Sequence, residues 1–165
     1  MAFSQNKIGR HYTESKAETT MMMLPSDANA KGNVFGGVIL KYMDLIAGLV
    51  AKRHSGHANI VTASIDRVIF LKPVFIGNAL ILSARLNYIR HSSMEVEVDV
   101  DAEDLDDSTR VHAATAFVTT VALDKYGKPT KVPTLILEND DDKKRFHEGE
   151  LRMLSRLKEA GKIHQ

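Results

Sequence analysis

The chain has no cysteine among its 165 residues. That absence excludes a disulfide framework, a thiolate nucleophile and any cysteine-based zinc site, and it fits a reducing compartment, so we expect a cytoplasmic protein. There is no block of one charge either: 22 basic and 21 acidic residues leave a formal charge of +1. Nothing in that balance argues for nucleic acid or a membrane surface as partner. The first residues, "MAFSQNKIGRHYTESKAETTMMMLPSD", carry scattered charges, and their one apolar cluster, Met21 to Leu24, is too short for a secretory signal. No internal repeat and no low-complexity tract occurs, so the length predicts one domain with a single core.

The common catalytic signatures are missing too. "GNVFGG" places Gly32, Gly36 and Gly37 at the wrong intervals for a dinucleotide fingerprint, and no Lys-Ser or Lys-Thr follows to make a phosphate loop. The serine-hydrolase elbow does not occur. "HEGE" at 147 lacks the second histidine of a zinc protease. His54 and His57 are spaced for metal binding but have no third ligand nearby, and cations closing a helix C-terminus are the better reading. We expect no metal and no cofactor.

What is present is a helix with almost no polar face. From Val38 to Ala51 the only polar side chains besides the Tyr42 hydroxyl are Lys41 and Asp44. A helix apolar nearly all round is predicted to be buried, and at roughly 20 Å this one is too short to span a bilayer. Asp44 inside it faces a desolvation cost of several kcal/mol unless paired, hydrogen-bonded or protonated. It either pairs with Lys41 on a narrow wet strip or has work to do there. Gly36 and Gly37 open the helix, offering unpaired backbone N–H groups suited to an anion or a developing oxyanion. The plain alternative is an ordinary helix start with Asn33 near the cap. Gly48 is expected to admit a close neighbour.

The rest reads mainly as strands. A first one is predicted near 18–24, followed by a loop of Pro, Asn, Asp and Gly residues. Others follow at 59–74, 78–90, 94–101 and 109–124. "MEVEVDVD" alternates strictly, predicting Met94, Val96, Val98 and Val100 inside and Glu95, Glu97, Asp99 and Asp101 in water. From Asn139 the acids Asp140 to Asp142 precede Phe146, Glu150, Met153, Leu154 and Leu157 at helical spacing, which predicts an amphipathic C-terminal helix. Strand, buried helix, then four strands joined by short turns predict an α+β fold, an antiparallel sheet curled around the helix. Its opposite face and edges are expected to stay open and to drive oligomerisation.

The segments "DANAKGNVFGGVILKYMD", "RH" at 53, "TASIDRVIFLKPV", "SSMEVEV" and "YGKPTKVP" together resemble the hotdog-fold acyl-CoA thioesterases. The likeness runs from about Met22 to Pro133. It implies a hotdog domain over 1–135 with a helical tail over 136–165, and an enzyme hydrolysing acyl-CoA to free fatty acid and CoA. It also implies self-association as dimers, assembled as a trimer of dimers. By the same resemblance Asp44 is general base or nucleophile. Asn29 helps place the water or thioester from the partner subunit's side, and the backbone N–H at Gly37 is the oxyanion donor with Gly36 beside it. The chemistry is coherent, because a thiolate leaves readily and a base plus an oxyanion site suffices; a buried carboxylate is also the stronger base. Thr62 and Ser64, on one face of their strand, are candidates to border the thioester. Arg90, Ser92 and Ser93 are candidates for CoA phosphate, or else a polar hairpin end. The alternative function is a non-catalytic module that binds or senses acyl-CoA; it needs the cleft but leaves Asp44 unexplained. A hydratase of this fold is disfavoured, since Leu49 stands where its histidine is expected.

Overall fold

A computed structural model describes residues 8–56 and 59–161. Five strands form one antiparallel sheet in the order β2-β4-β5-β6-β3. They are β2 (Ala17–Met22), β3 (Asn59–Phe70), β4 (Ala79–Arg90), β5 (Ser93–Glu103) and β6 (Arg110–Leu123). The sheet curls around α1 (Gly36–Ser55), and α2 (Asp140–Glu159) follows. The predicted fold is therefore the observed one, with α1 one turn longer than the apolar pattern suggests. Alternation does the work: Leu80, Leu82 and Leu86 of β4 and Met94, Val96, Val98 and Val100 of β5 share one hydrophobic cluster with Ile39, Met43, Ile46 and Val50 of α1. Among the described residues no helix is long and apolar enough to cross a membrane.

Three expectations need correction. First, α1 is not buried all round. Leu45 is 58% exposed and Leu49 43% exposed, while Gly48 has open space where a Cβ would sit. Secondly, the acidic face of β5 is not in water along its whole length. α2 lies across the outer face of the sheet, and Glu95, 1% exposed, receives the Arg152 guanidinium at 2.7 Å. Gly149 allows this close approach, because a Cβ there would collide with Tyr88. Arg145 pairs with Glu97 at 2.5 Å, so α2 is clamped to the sheet by arginines facing carboxylates. Asn139 caps α2, its side-chain oxygen accepting from the Asp142 N–H at 2.9 Å.

Thirdly, His54 is not a helix-terminal cation. It is fully buried, and its Nε2–H donates to the Pro133 carbonyl at 3.1 Å while Nδ1 has no partner. Burial lowers its pKa from the usual 6.5, and the nearby Arg10 charge adds to that. The C-terminus of α1 is closed instead by Arg10, which donates to the Arg53 carbonyl at 2.7 Å and the His54 carbonyl at 2.9 Å. Gly56, at φ 70°, ends the helix in the left-handed region. His57 lies outside the described residues. Arg10 sits on β1 (Gly9–His11), which pairs in parallel with β7 (Thr134–Ile136); neither short strand was expected from the sequence.

A buried neutral imidazole makes stability pH-dependent. The unfolded chain takes up a proton near the ordinary histidine value that the folded chain refuses, so the contribution is complete above about pH 6.5 and is lost as pH falls toward the lowered folded pKa. Melting temperature is expected to drop across that window, and His54→Gln, which keeps an N–H donor, is expected to flatten the slope. An equally steep slope in the variant would assign the dependence elsewhere.

Candidate active site

The N-terminus of α1 is held by loop backbone. The Phe35 N–H donates to the Asp27 carbonyl at 2.8 Å and the Val34 N–H to the Val74 carbonyl at 2.9 Å. Phe35, the N-cap residue, supplies no side-chain cap, so the Asn33 alternative does not apply. The Val38 N–H is used by the Phe35 carbonyl, whereas the amides of Gly36 and Gly37 have no partner among the described residues. Aromatic side chains stand close to both glycines. A Cβ on Gly37 would overlap the Phe35 ring, and one on Gly36 would touch Phe70 at 3.4 Å. The unpaired amides therefore stand beside two partly exposed aromatic rings, able to donate to a developing negative charge.

Asn29 borders the same place. Its Oδ1 accepts from the Lys31 N–H at 2.8 Å and the Asn33 N–H at 3.2 Å, which shapes its loop. Its remaining surface, with Asn33 and Gly36, lines a cleft of about 350 Å³.

Asp44 sits two turns into the helix, half-buried rather than enclosed. Its Oδ1 accepts a hydrogen bond from the Thr62 hydroxyl at 2.6 Å. No Lys41–Asp44 ion pair occurs; the Lys41 ammonium lies over the Tyr42 ring, 5.3 Å from its centre. The structure thus brings Thr62 to Asp44 but not Ser64. Thr62 and Ser64 pair with consecutive residues of β6, Thr120 and Thr119, because a bulge falls between them. The extra residue turns Ser64 to the opposite face, where its hydroxyl lies 3.4 Å from Asp66, itself paired with Arg156 of α2.

The Arg90, Ser92 and Ser93 cluster is at the β4–β5 hairpin and is not gathered with Asp44 or with the cleft. Arg90 points to the Met153 sulfur at 3.5 Å, the Ser93 hydroxyl donates to the Arg90 carbonyl at 3.1 Å, and the Ser92 carbonyl accepts from Ala122. The partners of this cluster within the chain thus come from the hairpin itself, from α2 and from β6. Two residues at the site were not singled out in sequence, Phe35 and Phe70. Phe70 closes an apolar strand pattern and looks like core, and no local signal marks it as the neighbour of Gly36.

A curled antiparallel sheet holding an uncapped helix, with a hydrogen-bonded carboxylate on that helix, defines the hotdog class. Residues 31–109 match the thioesterase superfamily. The cytosolic acyl coenzyme A thioester hydrolase of Rattus norvegicus is 44% identical over 146 residues, covering 86% of this chain and 38% of that protein. An uncharacterised acyl-CoA thioester hydrolase of Bacillus subtilis is 41% identical over 133 residues, covering 81% of this chain and 77% of that one. The chain belongs to this family of acyl-CoA thioester hydrolases. It spans 38% of the length of the mammalian relatives it matches.

Two solved structures are similar over nearly the whole chain. A hexameric acyl-CoA thioesterase superposes with a TM-score of 0.87 at 36% identity, covering 92% of this chain and 97% of that one. The acyl-CoA hydrolase of Staphylococcus aureus, solved with butyryl coenzyme A, coenzyme A and coenzyme A disulfide, superposes with a TM-score of 0.83 at 35% identity, covering 92% of each. That enzyme has also been solved as variants in which an aspartate, a threonine or an asparagine is replaced by alanine.

Proposed function

We propose that the protein hydrolyses acyl-CoA thioesters to the carboxylic acid and CoA, with Asp44 as general base. The observation that carries this reading is the 2.6 Å bond from Thr62 to Asp44 on a helix whose first amides are unpaired. The bond occupies one carboxylate oxygen and orients the other toward a water. The water attacks the carbonyl carbon as its proton passes to Asp44, and the oxyanion forms against the Gly37 amide. The intermediate collapses by breaking the C–S bond, and the thiolate leaves with the electron pair and takes up the proton. The variants of the Staphylococcus aureus enzyme support the choice of residues. They concern an asparagine, an aspartate and a threonine in the same chain order as Asn29, Asp44 and Thr62.

The working site is completed by a second copy. Gly37 and Asp44 stand two turns apart on one helix, roughly 10 Å of rise, whereas base and oxyanion donor must each work within about 3 Å of one carbonyl group. Two α1 helices packed antiparallel bring Gly37 and Asn29 of one subunit toward Asp44 of the partner subunit. The exposed Leu45 and Leu49 and the open space at Gly48 supply the packing face. The hexameric neighbour supports further assembly as a trimer of dimers. The cytosolic naming of the mammalian relatives supports a cytoplasmic setting.

Thiol release measured with a disulfide reagent over short to long acyl-CoA esters tests the reading. Hydrolysis by the wild-type protein is expected, and Thr62→Val is expected to lower kcat by about 10- to 100-fold, the worth of a hydrogen bond to a charged group. Binding of the esters without thiol release would replace this reading with that of a non-catalytic acyl-CoA module.

A further inference from the structure

The lining of the cleft at the start of α1 is mainly apolar. Val34, Ile39, Phe70, Leu71, Pro73 and Val74 make its apolar part, and Asn29, Asn33 and Lys72 its polar part, with Gly36 among them. A thioester carbonyl held at the unpaired amides has two arms, the acyl chain and the pantetheine of CoA. Pantetheine amides would lose hydrogen bonds against apolar walls, whereas each methylene buried there raises affinity about fourfold. The acyl chain is the arm that fits.

The walls differ in what they can change. Val34, Ile39 and Val74 belong to the core and are nearly inaccessible to solvent. Phe70 is 47% exposed, with its ring against Gly36. Its backbone is fixed, since Phe70 pairs with Ala114 and the next amide, that of Leu71, donates to the Ala113 carbonyl at 2.8 Å. The ring thus rises from a fixed backbone on the exposed side of the cleft, which it shares with Leu71, and it is the one of the two set against Gly36.

We infer that Phe70 sets the size of acyl group the protein accepts, its ring limiting the chain that can lie beside Gly36. The inference rests on the thioester-hydrolase reading above. The test is kcat/KM for straight-chain esters from acetyl- to palmitoyl-CoA with wild type, Phe70→Ala and Phe70→Trp, each checked for intact assembly. Phe70→Ala is expected to raise the ratio of long-chain to short-chain kcat/KM by about tenfold, the worth of one to two additional buried methylenes, and Phe70→Trp to lower it. A parallel change for every ester, or loss of assembly in both Phe70→Ala and the milder Phe70→Leu, overturns the inference; the latter makes the ring an interface residue. If the wild type releases no thiol, hydrolysis fails as a reading while Phe70 is still tested. The Kd values of non-hydrolysable thioether analogues of the same chain lengths must then shift in the same two directions.

Discussion

Asp44→Ala is expected to lose about a thousandfold in kcat for thiol release while remaining folded and assembled. General-base catalysis contributes about 10²–10⁴-fold, and among the described residues Asp44 is the carboxylate that accepts from Thr62. Asp44→Asn separates the two roles of the side chain, because the amide oxygen can still accept the Thr62 hydrogen bond but cannot take a proton from water. It is expected to be nearly as inactive as the alanine variant, with KM little changed in both, since a base that meets only the water does not hold CoA. Asp44 is half-buried with one direct hydrogen bond, so the cost in stability should stay near 1 kcal/mol. Activity within tenfold of wild type in the folded alanine variant would remove Asp44 from the mechanism.

The largest loss of stability is expected from Arg152→Ala. Glu95 is 1% exposed, and Arg152 donates to both of its oxygens, by Nε at 3.2 Å and by Nη2 at 2.7 Å. The same guanidinium lies over the Phe117 ring at 3.7 Å. Truncating it leaves a carboxylate between sheet and helix with Arg156, 3.5 Å away, as its remaining ion-pair partner. Removing one member of a buried pair costs about 3–5 kcal/mol. Urea unfolding of Arg152→Ala is expected to show a loss near the lower end of that range, because Arg156 compensates in part. Replacing both members, Glu95→Leu with Arg152→Leu, should recover most of it, since no charge is then left unpaired. The exposed pair Lys143–Asp140 is the control, and Lys143→Ala is expected to leave the urea midpoint essentially unchanged. A loss in Arg152→Ala no larger than in that control would show that water reaches Glu95.

The contrast between β5 and its partner helix shows where a reading of sequence stops. Met94, Val96, Val98 and Val100 announce an inward face by alternation, because that period is a property of a strand's own backbone. Glu95 on the opposite face looked like a solvated residue. What buries it is Arg152, far along the chain, and no local pattern encodes that meeting. Thr62 and Ser64 fail for a related reason: two residues apart in a regular strand they would share a face, and the bulge between them is set by pairing with β6. His54 looked like a helix-end cation until Arg10, on a strand too short to show any period, took that position. Asp44 was legible because a carboxylate in an apolar helix is conspicuous wherever the helix packs.

The order of residues along the chain was enough to specify a curled antiparallel sheet, an apolar central helix opened by two glycines, one carboxylate within it, and an acidic start to the last helix. Each of these follows from interactions within a few residues or from a repeat of two or 3.6. Which hydroxyl meets Asp44, which rings stand beside Gly36 and Gly37, and which arginines enclose Glu95 were determined by chain folding. Those contacts join residues far apart in sequence, so their partners come together only when the sheet has curled and both helices have docked.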